Sequence, residues 1–426
     1  MKVSRILEQI ASGGCDSAFE KLYGSARITE QRTRWIRLGE VFTGMHGDID
    51  AVMLSVPGRT ELLGNHTDHN NGRVLAAAVD IDIIAFAARS DDTLIRIKSE
   101  GYREDCVDVA SLDSCQARRG SSAAVIGGVC EYFLSDGRKV GGIRACTASD
   151  VLTGSGISSS AAFEVMCGAM LSFLYNDGEI PPLLLAKAGK YAENVWFGKP
   201  CGLMDQTACA SGGCSYIDFG GGDAYLRKMS PCLGDNLLCI VNTGGNHADL
   251  TDDYASVPSE MRSCAALLGQ TVLEEVDEED FVARIPYIRA NVGDRAVLRA
   301  LHFFAENRRV DTAAAAIRNG DTDAFLRCVS DSGSSSFRFL QNVYTNKNVT
   351  EQGLSLALAL TERLGLVCRV HGGGFAGTIQ TYLPPSRADE YRNAMERVFG
   401  EGCCMFLSLR DCGAVMIDGN TVSGAV

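Results

Sequence analysis

A loop of small residues between a predicted strand and a long apolar helix constrains the fold of this chain most strongly. Residues 143–152 (IRACTASDVL) alternate in hydropathy and predict a strand, whereas residues 161–175 are rich in helix formers. Between them lie two glycines, Gly154 and Gly156, and then three consecutive serines. The chain must therefore combine sheet and helix around this loop.

The loop segment from Thr153 to Glu164 (TGSGISSSAAFE) has the chemistry of an anion cradle. Glycine lets a backbone approach a ligand closely, and the N–H groups and dipole at a helix start favour negative charge. Serine hydroxyls add hydrogen-bond donors or a magnesium ligand. The segment lacks the lysine of a Walker A loop, and a small-residue turn with a serine N-cap is the alternative interpretation.

Elsewhere helices and strands mix without strict βαβ alternation, which predicts an α+β fold. Residues 1–47 predict helices, and residues 51–56 predict a strand that the following Pro-Gly pair ends. Glycines at 220–222 place a domain boundary. The predicted domains are therefore 1–220, which includes the helical N-terminal extension, and 221–426.

Composition excludes several classes of protein. The 426 residues are 46% hydrophobic, enough for two cores, and the net charge of −13 without a basic stripe argues against nucleic-acid binding. No apolar stretch suits a membrane span or a cleaved signal. The 17 cysteines form no CxxC pair, which favours a reducing cytoplasm over disulfides or zinc. The sequence does not define the oligomeric state, and we expect a monomer.

A polar segment, Pro57–Gly72 (PGRTELLGNHTDHNNG), suits a hydroxylated ligand. Arg59, His66, Asp68 and His69 crowd into it, together with several amides. A carboxylate accepts from sugar hydroxyls, while amides and imidazole donate. A metal site and an ordinary polar surface loop are the alternatives.

Two further segments carry candidate groups. Glu193 and Asp205 lie in AENVWFGKPCGLMDQTACASGG, where a carboxylate accepts a hydroxyl proton, holds Mg²⁺, or merely caps a helix. Residues 371–378 (HGGGFAGT) place three glycines between apolar strands, which indicates close backbone approach to a ligand or another segment.

Taken in order, these segments resemble the galactokinases of the GHMP small-molecule kinase superfamily. The family signature GRVNLIGEHTDYNGG stands here as GRTELLGNHTDHNNG, and the phosphate loop LGSGLSSSAA stands as TGSGISSSAA. The AEN, GIMDQ and GGGFGG segments stand as AEN, GLMDQ and GGGFAG. The resemblance spans residues 52 to about 380 with compatible spacing.

The resemblance implies two α+β domains with the active site in the cleft between them, and ATP-dependent phosphorylation of the anomeric C1 hydroxyl of galactose. It makes Asp205 the base toward that hydroxyl and Arg59 its partner, which stabilises the transferring phosphoryl group. Ser160 and Glu193 would hold Mg²⁺. The residues that would wrap the triphosphate are Gly154, Ser155, Gly156, Ile157, Ser158, Ser159 and Ser160.

On the sugar side, the resemblance assigns Asn65, His66, Thr67 and Asp68 to the matching segment Glu-His-Thr-Asp. Asp68 would accept from the C3 and C4 hydroxyls. Gly202 would contribute backbone to the same pocket, and Tyr254 matches a tyrosine that contacts the sugar.

The departures from the family pattern concentrate at the sugar pocket. Asn65 replaces a glutamate that accepts from the C6 hydroxyl, His69 replaces a tyrosine, and Glu61 replaces an asparagine. Glu61 either pairs with Arg59 or points to solvent. Ala376 replaces a glycine, and an alanine at this position requires a negative φ.

Several functions remain open at this point. N-acetylgalactosamine or galacturonate could replace galactose, and an amide at position 65 suits the C6 carboxylate of galacturonate better than a glutamate does. A non-catalytic sensor of ATP and galactose is a second alternative, and a kinase for a mevalonate- or homoserine-like alcohol is a third. The complete phosphate loop argues against the sensor, and the HTDH segment argues against the other alcohols.

Overall fold

The computed structural model describes residues 1–113, 119–151, 157–199, 201–222, 224–230, 233–245 and 250–424. The α-helices are α1 Val3–Ala11, α2 Asp16–Tyr23, α3 Ile28–His46, α4 Ser122–Ser135, α5 Ser159–Tyr175, α6 Pro182–Tyr191, α7 Met204–Ser211, α8 Thr251–Leu267, α9 Glu278–Ala283, α10 Ile285–Val292, α11 Asp294–Arg318, α12 Thr322–Ser335, α13 Gly353–Arg363 and α14 Ala388–Phe399. The strands are β1 Val52–Leu63, β2 Arg73–Arg89, β3 Leu94–Ser99, β4 Asp105–Asp108, β5 Ile143–Ser149, β6 Cys214–Asp218, β7 Tyr225–Met229, β8 Leu237–Asn242, β9 Val367–His371, β10 Thr378–Leu383, β11 Cys404–Leu407, β12 Val415–Asp418 and β13 Thr421–Gly424.

A nine-stranded mixed sheet organises the first half of the chain. Its strand order is β13-β12-β1-β2-β5-β3-β4, and the 17-residue strand β2 also pairs with β6, which continues to β7. Only the β3–β5 pair is parallel among these strand pairs. Strands and helices without regular alternation confirm the predicted α+β class.

Strand β1 is longer than the sequence predicts. The prediction that Pro57–Gly58 ends this strand is wrong, because β1 continues to Leu63. Pairing with β2 shifts register between Pro57 and Arg59, so a bulge accommodates the proline that has no N–H to donate. The extension places Arg59 and Glu61 on this strand.

Helices α1, α2 and α3 confirm the predicted helical N-terminal extension and cover one face of the large sheet. Trp35 of α3 is fully buried, and its ring lies 5.7 Å from that of Phe86 on β2 in an edge-to-face arrangement. Beneath them the Asp82 carboxylate accepts from Arg34 and Arg410. The extension therefore covers this face of the sheet, and its Arg34 also pairs at 3.1 Å with Asp150, shortly before the phosphate loop.

The opposite face of the sheet carries α4, α5, α6 and α7, with α5 buried along most of its length. The predicted strand, loop and helix order is confirmed by β5 and α5. Residues 152–156 of the connecting loop lie outside the described residues. Among the described helices, none is long and apolar enough to cross a membrane.

A second, four-stranded antiparallel sheet has the order β11-β8-β10-β9 and packs against α13 and α14. The division at residue 220 stays a prediction, and sheet membership does not follow it. Strand β7 and the C-terminal strands β12 and β13 pair within the large sheet. The chain therefore returns to the first sheet at its C-terminal end.

Candidate active site

Arg59 and Asp205 form the central ion pair of the candidate site. Arg59 extends from β1, and Asp205 lies in the first turn of α7. Arg59 Nε and Nη2 each donate to one carboxylate oxygen of Asp205 at 2.7 Å. The Arg59 side chain is 5% exposed, whereas that of Asp205 is 31% exposed. The aspartate is thus fixed by a two-pronged contact and still reachable by a ligand.

The phosphate loop contacts this pair directly. The backbone N–H of Arg59 donates to the carbonyl of Ile157 at 3.2 Å, and the Ser158 hydroxyl donates to Asp205 Oδ2. Ser158 adopts a left-handed backbone with φ of 59°, immediately before α5 begins at Ser159. Ser160 is exposed in the first helical turn. The predicted contacts of Gly154, Ser155 and Gly156 lie outside the described residues.

The carboxyl of Asp205 is tuned towards its ionised form. Burial raises its pKa, but the charge and hydrogen bonds of Arg59, with a further bond from Ser158, outweigh burial and lower it below the usual value. An aspartate in this state accepts hydrogen bonds well and accepts a proton poorly. Its geometry suits orienting a hydroxyl more than removing its proton early.

A second carboxylate cluster lies beside this ion pair. Glu193 belongs to a π-helical turn, Ala192–Phe197, and Glu164 lies one turn beyond Ser160 on α5. Gln206 Nε2 bridges the two, at 2.9 Å from Glu164 Oε2 and 3.2 Å from Glu193 Oε2. Burial, and then the nearby charge of Glu193, raises the pKa of Glu164 well above its usual value.

The donors in this cluster fit a magnesium ion. Mg²⁺ takes oxygen ligands and commonly relies on one or two carboxylates together with substrate phosphates. Glu193 is buried and one of its carboxylate oxygens accepts from the Lys199 ammonium at 3.0 Å, while Ser160 is exposed in the first turn of α5. No group of three or more His, Cys, Asp or Glu suited to a metal occurs in the described part of the chain.

Asp68 lies against Gly202, three residues before Asp205 in the chain. A Cβ built on Gly202 would lie 1.6 Å from Asp68 Oδ2, so only glycine fits there. The Asn194 side chain accepts from the Cys201 N–H at 2.7 Å and fixes this turn. Within the described residues the Asp68 carboxylate has no hydrogen-bond partner, which leaves it available to hydroxyl donors.

His66 and Tyr254 connect the sugar-side segment to the glycine motif. His66 has a φ of 62° and its Nε2 lies 2.9 Å from the Gly373 carbonyl, while the Tyr254 hydroxyl donates to the Gly374 carbonyl at 2.7 Å. A Cβ on Gly373 would meet Tyr254 at 2.4 Å, so the predicted close approach at this motif is observed. Burial lowers the pKa of His66 to about 3, so its ring is neutral.

Asn65 and Thr67 direct their polar atoms into the protein. Asn65 Nδ2 donates to the Gly372 carbonyl at 2.8 Å, and its Oδ1 accepts from Asn342 at 2.8 Å. The Thr67 hydroxyl donates to the Gly64 carbonyl at 2.9 Å. Both residues are fully buried. Their direct contact with a sugar stays a prediction, and Asn65 would have to break these bonds to make one.

Glu61 forms a buried pair that the sequence does not indicate. Its carboxylate accepts from Arg369 of β9, rather than from Arg59 or solvent, and Asn65 Nδ2 lies 3.2 Å from Glu61 Oε1. The two departures at positions 61 and 65 therefore contact each other. At the glycine motif, Ala376 avoids a positive φ as required, and its neighbour Phe375 adopts one of 59° instead.

The motifs, taken one at a time, do not indicate the roles of four residues that contact the predicted site residues: Glu164, Gln206, Lys199 and Arg369. Glu164 carries a weak signal, because a residue four positions after Ser160 lies on the same helical face. The partners of Glu61 carry none, since Arg369 is 308 residues away.

Comparisons with known proteins agree with this geometry. The galactokinase galactose-binding signature matches residues 40–89, and the N-terminal domain of GHMP kinases matches residues 124–213. A galactokinase from Streptomyces coelicolor is 30% identical over 369 residues, which cover 85% of this chain and 92% of the relative. The chain belongs to the galactokinase family. A Streptococcus mutans galactokinase is also 30% identical, over 85% of this chain and 93% of the relative.

Solved structures confirm the GHMP kinase fold. The crystal structure of Lactococcus lactis galactokinase complexed with galactose superposes with a TM-score of 0.77 at 23% identity, covering 88% of this chain and 97% of that one. A mevalonate kinase structure gives a TM-score of 0.60 at 14% identity, over 84% and 99% of the two chains. This galactokinase family member is an ATP-dependent sugar kinase.

Proposed function

We propose that this galactokinase family member transfers the γ-phosphate of ATP to the anomeric C1 hydroxyl of galactose, giving galactose 1-phosphate. One observation carries the proposal. Asp205 accepts from Arg59 and from Ser158 at the end of the phosphate loop, and Gly202, three residues before Asp205, lies against Asp68. Phosphate donor and hydroxyl acceptor would meet at Asp205.

Asp205 orients the acceptor hydroxyl in this proposal. Phosphoryl transfer depends mainly on alignment and charge neutralisation, so a carboxylate of lowered pKa serves by accepting a hydrogen bond and taking the proton late. Arg59 holds that carboxylate and supplies positive charge beside the transferring group. Both side chains project from regular elements, β1 and α7, which fix their alignment.

Asp68 and the backbone of Gly202 form the sugar side of the proposed site. Asp68 would accept two ring hydroxyls, and the contact between Gly202 and its carboxylate closes the pocket. His66 and Tyr254 would shape the pocket wall, because their hydrogen bonds to Gly373 and Gly374 hold the glycine motif against it.

Ser160 and Glu193 would hold Mg²⁺, with the buried Glu164 carboxyl behind them. When bound, the ion would neutralise charge on the β- and γ-phosphates. The backbone and hydroxyls of residues 157–160 would contact the phosphates at the start of α5. We propose that the protein acts as a cytoplasmic monomer, with ATP and the sugar as its partners and neither nucleic acid nor membrane.

A kinase for a related sugar is the second candidate, and Asn65 favours it. The family glutamate at this position is replaced by an amide whose atoms bond to Gly372 and Asn342. The loss of a charged acceptor weakens binding of a C6 hydroxyl by about 1–2 kcal/mol. Galacturonate, which carries a carboxylate at C6, would then compete with galactose as the substrate, and N-acetylgalactosamine stays a further alternative.

The test is ADP release from Mg-ATP with galactose, N-acetylgalactosamine, galacturonate and glucose, each beside the Asp205→Asn variant. Galactose-dependent release that the variant abolishes supports the proposal. Faster release with another sugar would replace galactose and keep the kinase. ATP binding without release for any sugar would favour a non-catalytic sensor.

A further inference from the structure

Lys199 lies at the mouth of the carboxylate cluster formed by Glu193 and Glu164. Lys199 Nζ lies 3.0 Å from Glu193 Oε1, with its side chain 62% exposed and that of Glu193 only 6% exposed. The backbone N–H of Lys199 donates to the Glu193 carbonyl at 3.0 Å. The backbone is therefore fixed on the carboxylate's own turn, whereas the charged end of the side chain reaches solvent.

The charges around this lysine call for a mobile cation. Arg59 is committed to Asp205 through two hydrogen bonds. Glu193 and Glu164 share only the neutral amide of Gln206, and among the described residues Lys199 makes the salt bridge to this pair. A triphosphate that enters beside Glu193 therefore meets the negative charge of that carboxylate unless a cation stands between them.

Lysine is suited to that position. Its ammonium is a compact charge on a flexible four-carbon stem, and it binds phosphate as a point charge. The phosphate loop of residues 153–160 contains no lysine of its own. Oxygen ligands of one Mg²⁺ lie within about 4 Å of each other, so a cation already on Glu193 is within a short side-chain rotation of any phosphate that shares an ion with Glu193.

We propose that Lys199 is a further nucleotide-contacting residue of the proposed kinase site. In the free protein its ammonium neutralises Glu193. When nucleotide enters, the ammonium turns to the terminal phosphates and leaves the carboxylate to the metal. This inference rests on the proposed function, since it takes the ligand beside Glu193 to be a nucleoside triphosphate.

A merely structural ion pair is the alternative, and nucleotide binding without metal separates the two. The variants are Lys199→Met, which removes the charge, and Lys199→Arg, which retains it. Lys139→Met is the matched control, because Lys139 is an exposed lysine held against Asn176, beyond the opposite end of α5 from Ser159. Calorimetry would measure the Kd of ATP in excess Mg²⁺ and in EDTA, and the Kd of galactose.

We expect Lys199→Met to raise the Kd of ATP about tenfold or more in EDTA and by a smaller factor in Mg²⁺, with Lys199→Arg restoring most of the loss. The Kd of galactose and the Tm should stay unchanged, and Lys139→Met should behave as the unmodified protein. Unchanged or tighter ATP binding by Lys199→Met in both conditions would overturn the inference while leaving the proposed function intact. Absence of ATP binding by the unmodified protein would overturn both.

Discussion

Two ion pairs extend from the same strand, and their difference separates chemistry from architecture. Arg59 and Glu61 are two residues apart on β1, so their side chains leave the same face of the strand. Arg59 meets Asp205, which is 31% exposed. Glu61 meets Arg369, and these two side chains are 3% and 0% exposed. One pair is open to a substrate, and the other is sealed between two sheets.

The sealed pair connects the two sheets of the molecule. Arg369 belongs to β9 and also donates to the Leu62 carbonyl of β1 at 2.8 Å. Next to it Thr60 lies 3.1 Å from His371 Nε2, and Gln380 donates to Thr60 at 2.7 Å. The two charged residues of β1 therefore have different roles. Substitutions at the Arg59–Asp205 pair should lower the reaction rate, and substitutions at the Glu61–Arg369 pair should lower the stability.

The largest effect should come from the open pair. Asp205→Asn keeps the shape of the carboxyl and removes its charge, so sugar-dependent ADP release should fall by about 10²–10⁴-fold because the acceptor loses its orienting base. The Tm should fall less than in Glu61→Gln, because Asp205 is 31% exposed and water can reach the charge of Arg59 there. Asp218→Asn is the matched control, since Asp218 pairs with Arg73 at 3.1 Å with 26% exposure and belongs to β6 rather than to α7. Equal losses of ADP release in Asp205→Asn and Asp218→Asn would contradict a specific role of Asp205 in the reaction.

The sealed pair should respond in stability. Glu61→Gln leaves the Arg369 guanidinium buried without a carboxylate, so the free energy of unfolding should fall by about 3–5 kcal/mol in urea denaturation. The double variant Glu61→Leu with Arg369→Met buries no charge and should regain part of that loss. A stable Glu61→Gln protein with little activity would instead assign Glu61 to the chemistry.

Asp68 sharpens the comparison, because it is a carboxylate near the open pair without a protein partner among the described residues. Asp68→Asn should raise the KM for the sugar by about 10–100-fold, as a charged hydrogen bond to a hydroxyl is replaced by a neutral one. The KM for ATP should stay within about twofold. A matching rise in both constants would place Asp68 outside the sugar pocket.

The smallest effect concerns pH. His66 is buried with its pKa lowered to about 3, so the folded state requires a neutral ring. Its contribution to stability is complete above the unfolded value of about 6.5 and is lost as pH falls towards 3. Between pH 7 and pH 5, the unfolding free energy of His66→Gln should therefore fall by about 1–2 kcal/mol less than that of the unmodified protein. His69→Gln, on the neighbouring ring, controls for the lost imidazole, and identical pH slopes would contradict the assignment.

Much of the fold and of the open pair follows from the sequence. The helical extension and the strand–loop–helix unit depend on local patterns, and the pairing of Arg59 with Asp205 follows from motifs that resemble those of the family. The sealed pair does not, because Glu61 and Arg369 meet only through tertiary packing. The same holds for β12 and β13, which return to the first sheet. Strand β1 continues past Pro57 because a bulge accommodates the residue that lacks an N–H donor, and residue propensities do not predict such a bulge.

Transfer of phosphate to the anomeric hydroxyl at Asp205 is tested most directly by proton–phosphorus correlation spectroscopy of the product. After incubation of galactose and Mg-ATP with the protein, we predict a new phosphorus resonance coupled to the anomeric proton, and no such resonance with Asp205→Asn. A phosphorus resonance coupled to the C6 protons would contradict transfer to the anomeric hydroxyl. The same amount of sugar 1-phosphate in the Asp205→Asn sample would contradict the role of Asp205.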